Sequence, residues 1–465
     1  MHESVALADT SITLDGNVPT DALQHFFVPF DVPDGTQEIE ILHDDQSADN
    51  ILDWGLYDPA GWRGWGGGNS ENIVVNAKAA SRSYVPGPIT KGTWKVVVGK
   101  AKVIVSPATY HIVVTFKTAA SLAPQTERKP YVAGAALAKG PRYFAGDLHV
   151  HSRESGDAIP TLDEIGTFAR SRGLDFVEIS DHNVNTQDDY VAASQARFPD
   201  LLFIPGIEFT TYAGHANAIG ATRWVDHKIG QPGVTIGGAV EQIAAQGAIF
   251  SINHPALDIG DLCIGCAWKH TLDPAKVTGV EIETSALSGG GLLFQSKAIA
   301  FWESYLDKGF HVVGLGGGDD HRAGKETGQF QSALGSPTTL VYADELSAGA
   351  IMDAIRKGAR GGEDRWPRRS HGGAHERQRP SWRLTPAAQR RAHGQGHQHQ
   401  RGTAHHHRAL GEERRARRSV RRHRRRSDVH ARRDGAANGR GSLPVRGAPF
   451  RQQAAPHHQP HLPHP

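Results

Sequence analysis

Beyond residue 140 the chain alternates short apolar runs with amphipathic stretches, and one apolar run after another ends in His, Asp or Glu. LDEIGTFARSRG reads as a helix with Leu162, Ile165, Phe168 and Ala169 on one face, and LDFVEIS after it as a strand. LLFIPGIE, AIFSIN, GVEIE and HVVGLGG repeat the strand pattern, while AVEQIAAQG and LLFQSKAIAFWESYLDKG repeat the helical one. Such a βα series predicts an α/β domain, a parallel barrel or wound sheet, in which the strand carboxyl ends meet on one face.

The residues at those ends are of metal-ligand type. GDLHVHS carries His149 and His151, EISDHN carries Asp181 and His182, and PGIEFTTYAGHANAIG carries Glu208 and His215. SINHP carries His254, and GGGDDHR carries Asp319, Asp320 and His321. An isolated strand-end histidine is usually a structural hydrogen-bonder, but five ordered clusters in one series exceed that reading, because buried Asp, Glu and His need partners or metals to offset desolvation. Imidazole and carboxylate donors suit Zn, Mn or Fe. Nine candidates (His149, His151, Asp181, His182, Glu208, His215, His254, Asp319 and His321) are too many for one ion and predict two or three divalent metal ions.

In this combination the motifs resemble the PHP superfamily, the polymerase and histidinol phosphatase metallohydrolases, and specifically its carbaryl-hydrolase-like CehA/McbA branch. The resemblance covers residues 141–357 and implies a PHP-type distorted (β/α)7 barrel with its metals at the strand carboxyl ends. By position, His149 and His151 match the first motif, Asp181 and His182 the second, Glu208 and His215 the third, His254 a later ligand, and Asp319 with His321 the closing D-x-H. Ser155, Gly156 and Asp157 invert the usual Ser-Asp-Gly, which leaves Asp157 outside the expected ligand set. Asp320 stands where many relatives have Ala, and the choice of Asp319 follows from the resemblance.

Residues 1–118 read differently: FFVPFDV, EIEIL, NIVVN, WKVVVG and YHIVVTF are alternating or β-branched runs separated by turn residues, the pattern of an all-β sandwich-like domain. Trp54, Trp62, Trp65 and Trp94 there are read as packing aromatics rather than a ligand platform, and the acidic 44–50 segment as a solvated turn rather than a Ca²⁺ loop. An Ala- and Pro-rich linker, 119–140, leads into the second domain, 141–357.

Charge divides the chain a second time. Residues 1–357 carry 26 Lys and Arg against 42 Asp and Glu, whereas 358–465 carry 25 Arg against 7 acids. In the latter segment Leu, Ile, Val and Phe number eight, below the roughly 20% under which a chain is expected to stay unfolded. A disordered Arg/His/Pro-rich tail is expected, read as a GC-rich gene translated out of frame. With codons chosen freely, 361–376 read one base later gives the strand-like VVKIDGPDGPTVELT. The alternative is a nucleic-acid-binding tail, so nucleic acid is a partner only if the tail is genuine. No run reaches a membrane span and no signal peptide is visible, which makes a soluble, cytoplasmic protein the default expectation.

Cys263 and Cys266, followed by His270, form C-x-x-C-x-x-x-H, which is read as a packed or disulfide-linked loop before a structural Zn²⁺ site or redox pair. There is no G-x-S-x-G elbow and no Walker loop. The expected chemistry is therefore attack by metal-bound hydroxide, made accessible by lowering the pKa of water from 15.7 toward ~7. Arg153 and Arg322 are candidates for an oxyanion or phosphate, and His215 or His254 for leaving-group assistance. A small-molecule phosphoester is the first substrate class and an aryl carbamate or related ester the second. A non-catalytic binding protein with a degenerate barrel is the remaining alternative; the oligomeric state stays open.

Overall fold

The computed structural model describes residues 8–284, 291–325 and 332–360, all within the first of the chain's two units, Met1–Arg368. The basic tail and the out-of-frame reading lie outside the described residues, apart from three positions discussed below.

Eight strands build the amino-terminal half: β1 (Thr10–Asn17), β2 (His25–Val32), β3 (Glu38–Asp44), β4 (Ile51–Asp58), β5 (Gly61–Gly67), β6 (Ile73–Asn76), β7 (Gly92–Lys102) and β8 (Thr109–Lys117). They form two antiparallel four-stranded sheets, ordered β1-β8-β3-β6 and β2-β7-β4-β5. Period-two alternation sends Ile39, Ile41, Ile112 and Val114 from one sheet, and Val28, Phe30, Leu56, Trp94 and Val96 from the other, into one core. Pro29, which cannot donate to a ladder, sits on the edge strand β2. Trp54 and Trp94 are core residues, as their reading as packing aromatics requires.

The second half continues with β9 (Lys139–Asp147), α1 (Leu162–Ser171), β10 (Phe176–Ile179), α2 (Asp188–Arg197), β11 (Leu202–Pro205), β12 (Glu208–Thr211), β13 (Gly214–Ile219), α3 (Ile236–Ala245), β14 (Ile249–Ile252), β15 (Gly279–Glu283), α4 (Gly291–Asp307), β16 (Val313–Gly316), β17 (Thr339–Glu345) and α5 (Ala348–Arg360). Helix α1 begins at a capping box in which Thr161 and Glu164 each accept from the other's backbone N–H. It buries Leu162, Ile165 and Ala169 against β10 and β11 residues.

The strands of this half do not all run parallel. The described strands form two mixed sheets, β11-β10-β9-β17 and β12-β13-β14-β15-β16. LLFIPGIE is two strands, broken where Gly206 passes so close to Glu178 that an added Cβ would lie 1.7 Å from its Oε1. The stretch after it is an antiparallel hairpin, β12–β13, and β17 closes the other sheet antiparallel to β9. Isolated parallel bridges, Val150↔Asp320 and His182↔Glu208, tie the two sheets together, and both fall among the metal-ligand motifs. Helix α5 continues to Arg360, three residues into the stretch expected to be disordered. Among the described residues no helix is long and apolar enough to cross a membrane.

Candidate metal centre

Glu208, the first residue of β12, is fully buried and faces five histidines. Its Oε1 lies 3.4 Å from His149 Nε2, 3.3 Å from His215 Nδ1 and 3.3 Å from His254 Nε2. Its Oε2 lies 3.5 Å from His151 Nε2 and 2.8 Å from His182 Nδ1. Asp319 Oδ1 stands opposite, 3.3 Å from His149 Nε2 and 3.1 Å from His151 Nε2. Overlapping donor groups result: His149, His151, Glu208 and Asp319; Glu208, His215 and His254; third, His151, His182 and His321; and His149, His254 and Glu281.

Asp157 Oδ2 is 3.3 Å from the Nε2 atoms of both His182 and His321, so the third group gains a carboxylate. The inverted Ser-Gly-Asp order had set this residue aside. Gly156, at φ 90°, turns the chain there, and the β-domain holds the turn in place. Ser83 N and Oγ donate to Glu154 Oε2 and O at 2.9 and 2.7 Å, and Arg82 Nη1 donates to Ala158 O at 2.8 Å. Asp157 is also the exposed side of the cluster, with 55% of its side chain accessible against none for His149 and His151.

Two candidate acids have other work. Asp181 accepts from Ser152 N at 2.6 Å and Ser152 Oγ at 2.5 Å, which fixes the loop after His151, and it belongs to none of the donor groups. Asp320 accepts from the N–H groups of Arg322, Gly324 and Leu334, each at 2.7 Å. The same backbone places Asp319 toward the histidines through a left-handed conformation, φ 53°, and His254 is held at φ 25°. Non-glycine residues in that region carry strain that persists only where surrounding structure over-determines it.

Sequence reasoning missed Glu281 and Asp147. Glu281 Oε1 lies 3.0 Å from His149 Nδ1, and its Oε2 accepts from His254 N at 2.8 Å. An acid in the middle of the apolar strand GVEIE was the available signal. Asp147 accepts from the N–H groups of His149, Gly318 and Gly335, and burial pushes its pKa up to about 7. Gly317 lets these parts meet, since a Cβ there would stand 2.3 Å from His149 Cβ. Arg153 is exposed and Arg322 half-buried, and neither guanidinium is paired with a described residue. Trp62 stacks on Trp224 at 5.3 Å and Trp65 lies edge-on to His227 at 4.5 Å, so both pack between the β-domain and the second half.

Electrostatics match a cationic occupant. Burial opposes charge on both Glu208 and His149, yet the histidines hold the carboxyl of Glu208 well below its ordinary value, and Glu281, Asp319 and Glu208 hold His149 well above its own. His149 Nε2, His151 Nε2, Glu208 Oε2, His215 Nε2 and His254 Nδ1 are buried without a well-formed hydrogen bond. Orphan groups at this density are costly unless something ligates them. The buried His, Glu and Asp groups fit divalent metal ions, and they contain N and O donors suited to Zn, Mn or Fe.

No family model and no curated protein matches the chain. Among solved structures it is similar to a presumptive metal-dependent phosphoesterase from Bifidobacterium adolescentis, at 13% identity and TM-score 0.26 over 40% of this chain and 92% of that one. It is also similar to an amidohydrolase from Chromobacterium violaceum, at 18% identity and TM-score 0.27 over 40% and 91%. Likenesses of this degree assign no function.

Proposed function

We propose that this protein is a metal-dependent hydrolase of the PHP type that cleaves a small phosphoester. The observation that carries the proposal is one buried carboxylate, Glu208, set among five histidines at distances of 2.8 to 3.5 Å. His149, His151, Glu208 and Asp319 would hold one divalent ion, Asp157, His182 and His321 a second, and His215 and His254 with Glu208 a third. Bound ions would supply a Lewis acid and a water of lowered pKa.

The chain's own residues divide the remaining work. His149 and His151 are fully buried and His182 and Asp157 partly exposed, so substrate approaches from the Asp157 side. Arg322, next to His321 in sequence and without an ion-pair partner among the described residues, would orient an anionic group. His215 and His254 are buried and both face Glu208 Oε1, which suits holding an ion better than passing a proton. Asp53 of the β-domain is the remaining candidate for the proton-donor role. Its Oδ2 accepts from Tyr212 Oη at 2.6 Å, it interacts electrostatically with His182 and Asp157, and burial pushes its pKa up to about 6.

The test is turnover of p-nitrophenyl phosphate and of 1-naphthyl N-methylcarbamate, side by side, by metal-loaded protein and its Glu208→Gln variant. Metal- and Glu208-dependent release of phosphate supports the proposal. Turnover of the carbamate alone moves the assignment to ester chemistry, and turnover of neither with metal bound favours a binding protein.

A further inference from the structure

Cys263 and Cys266 are joined by a disulfide beside the metal centre. Cys266 is 1% exposed, and its Sγ lies 3.9 Å from His215 Nδ1. That nitrogen is the one that faces Glu208 Oε1 at 3.3 Å. Both sulfurs and a ring nitrogen of His215 lie within 4.8 Å of one another. The loop is seated on the hairpin that carries these residues: Gly265, at φ 80°, packs against the backbone of Thr211 and Tyr212, where a Cβ would stand 2.5 Å from Thr211 O. Lys269 N donates to Ala213 O at 2.7 Å and Trp268 N to Pro255 O at 3.0 Å, which strap the segment between the hairpin and His254. On its other side an open cleft of about 270 Å³, lined by Tyr212, Asp258, Cys263 and Lys269 among others, gives a reductant access.

We infer that the Cys263–Cys266 pair is a thiol–disulfide switch on metal binding, whose reduced form joins His215 as an N,S,S ligand set for one thiophilic divalent cation. Opening the disulfide takes two electrons and two protons from a dithiol reductant, which leaves as its own disulfide. The cation displaces both thiol protons as the thiolates bind it. Disulfide sulfur has no such charge to offer, so the oxidised loop leaves His215 to Glu208 and His254. Two thiolates and an imidazole favour Zn²⁺ over the harder ions that an N/O set accepts. The inference rests on the proposed centre only through His215.

The experiment uses the full-length protein with Co²⁺ as the probe. Thiol titration should rise from none to two on treatment with a phosphine reductant, since the chain has two cysteines. With two thiols titrated, added Co²⁺ should produce sulfur-to-cobalt charge-transfer absorption in the near ultraviolet. It should be absent from the oxidised protein and from the double variant Cys263→Ser/Cys266→Ser, and weaker in each single variant. Two free thiols without that absorption at saturating Co²⁺, its undiminished intensity in either single variant, or its persistence in the double variant would overturn the inference. Visible cobalt bands of the oxidised protein and of the double cysteine variant report the N/O centre separately, so failure of one reading does not imitate failure of the other.

Discussion

Replacing Glu281 by Gln puts the second rank of the site to the test. For His149 Nε2 to face Glu208 and Asp319 as a ligand, its Nδ1 must carry the proton, and Glu281 Oε1 at 3.0 Å is the acceptor. The other oxygen of the same carboxylate accepts from His254 N at 2.8 Å. A glutamine has one oxygen for two donors. Its amide either opposes His254 N–H or drives His149 toward the tautomer whose Nε2 is protonated and cannot ligate. Hydrogen bonds to a charged acceptor contribute about 1.5–3 kcal/mol. Changes behind a ligating histidine typically weaken metal affinity about 10- to 100-fold, the same range. Because Glu281 also raises the pKa of His149, it strengthens proton competition, and the variant relieves part of it. The measurement is therefore a chelator competition titration at about pH 8.5, where protons compete least, repeated near pH 6.5, where the difference should shrink. A change smaller than about threefold at the higher pH, with the fold intact by circular dichroism, would refute the tautomer argument.

Four further outcomes are expected. Asp157→Asn should reduce bound metal per chain by elemental analysis, whereas Asp181→Asn should leave it unchanged and lower thermal stability by about 1–3 kcal/mol, the cost of a spoiled buried hydrogen bond; the reverse pattern would exchange their roles. His25 is 3% exposed with both ring nitrogens unpartnered, and burial, aided by the charges of Lys228 and Lys100, lowers its pKa from 6.5 to about 3. Its folded pKa is depressed, so the unfolded chain takes up the proton first, and denaturant stability should fall as pH drops from 6.5 toward 3, with a shallower slope in His25→Phe. Asp53→Asn should slow hydrolysis of substrates with poor leaving groups by about 10²-fold or more while sparing p-nitrophenyl esters, and equal slowing of both would remove Asp53 as the proton donor. Removing residues 361–465 should leave the metal content unaltered, and loss of metal on that deletion would contradict the placement of every ligand before α5.

Local sequence carried a good deal of this protein. Periodicity placed α1, α3, α4 and most strands, because hydrophobic spacing is a property of nearby residues. Residue chemistry at the ends of the apolar runs pointed to His149, His151, Glu208, His215 and His254, since few other reasons put so many imidazoles beside buried carboxylates. What the tertiary structure decided were the distinctions between neighbours. Asp319 and Asp320 differ by one position, and only the left-handed turn at φ 53° sends one to the histidines and the other to three backbone N–H groups. Asp157 reaches His182 and His321 through a turn gripped by Ser83 and Arg82, about 70 residues earlier in the chain. Glu281 meets His149 across 132 positions. Spacing in sequence reports which side of a helix or strand a residue occupies; it cannot report which distant chain folds over it, and that contact determines the direction of each carboxylate here.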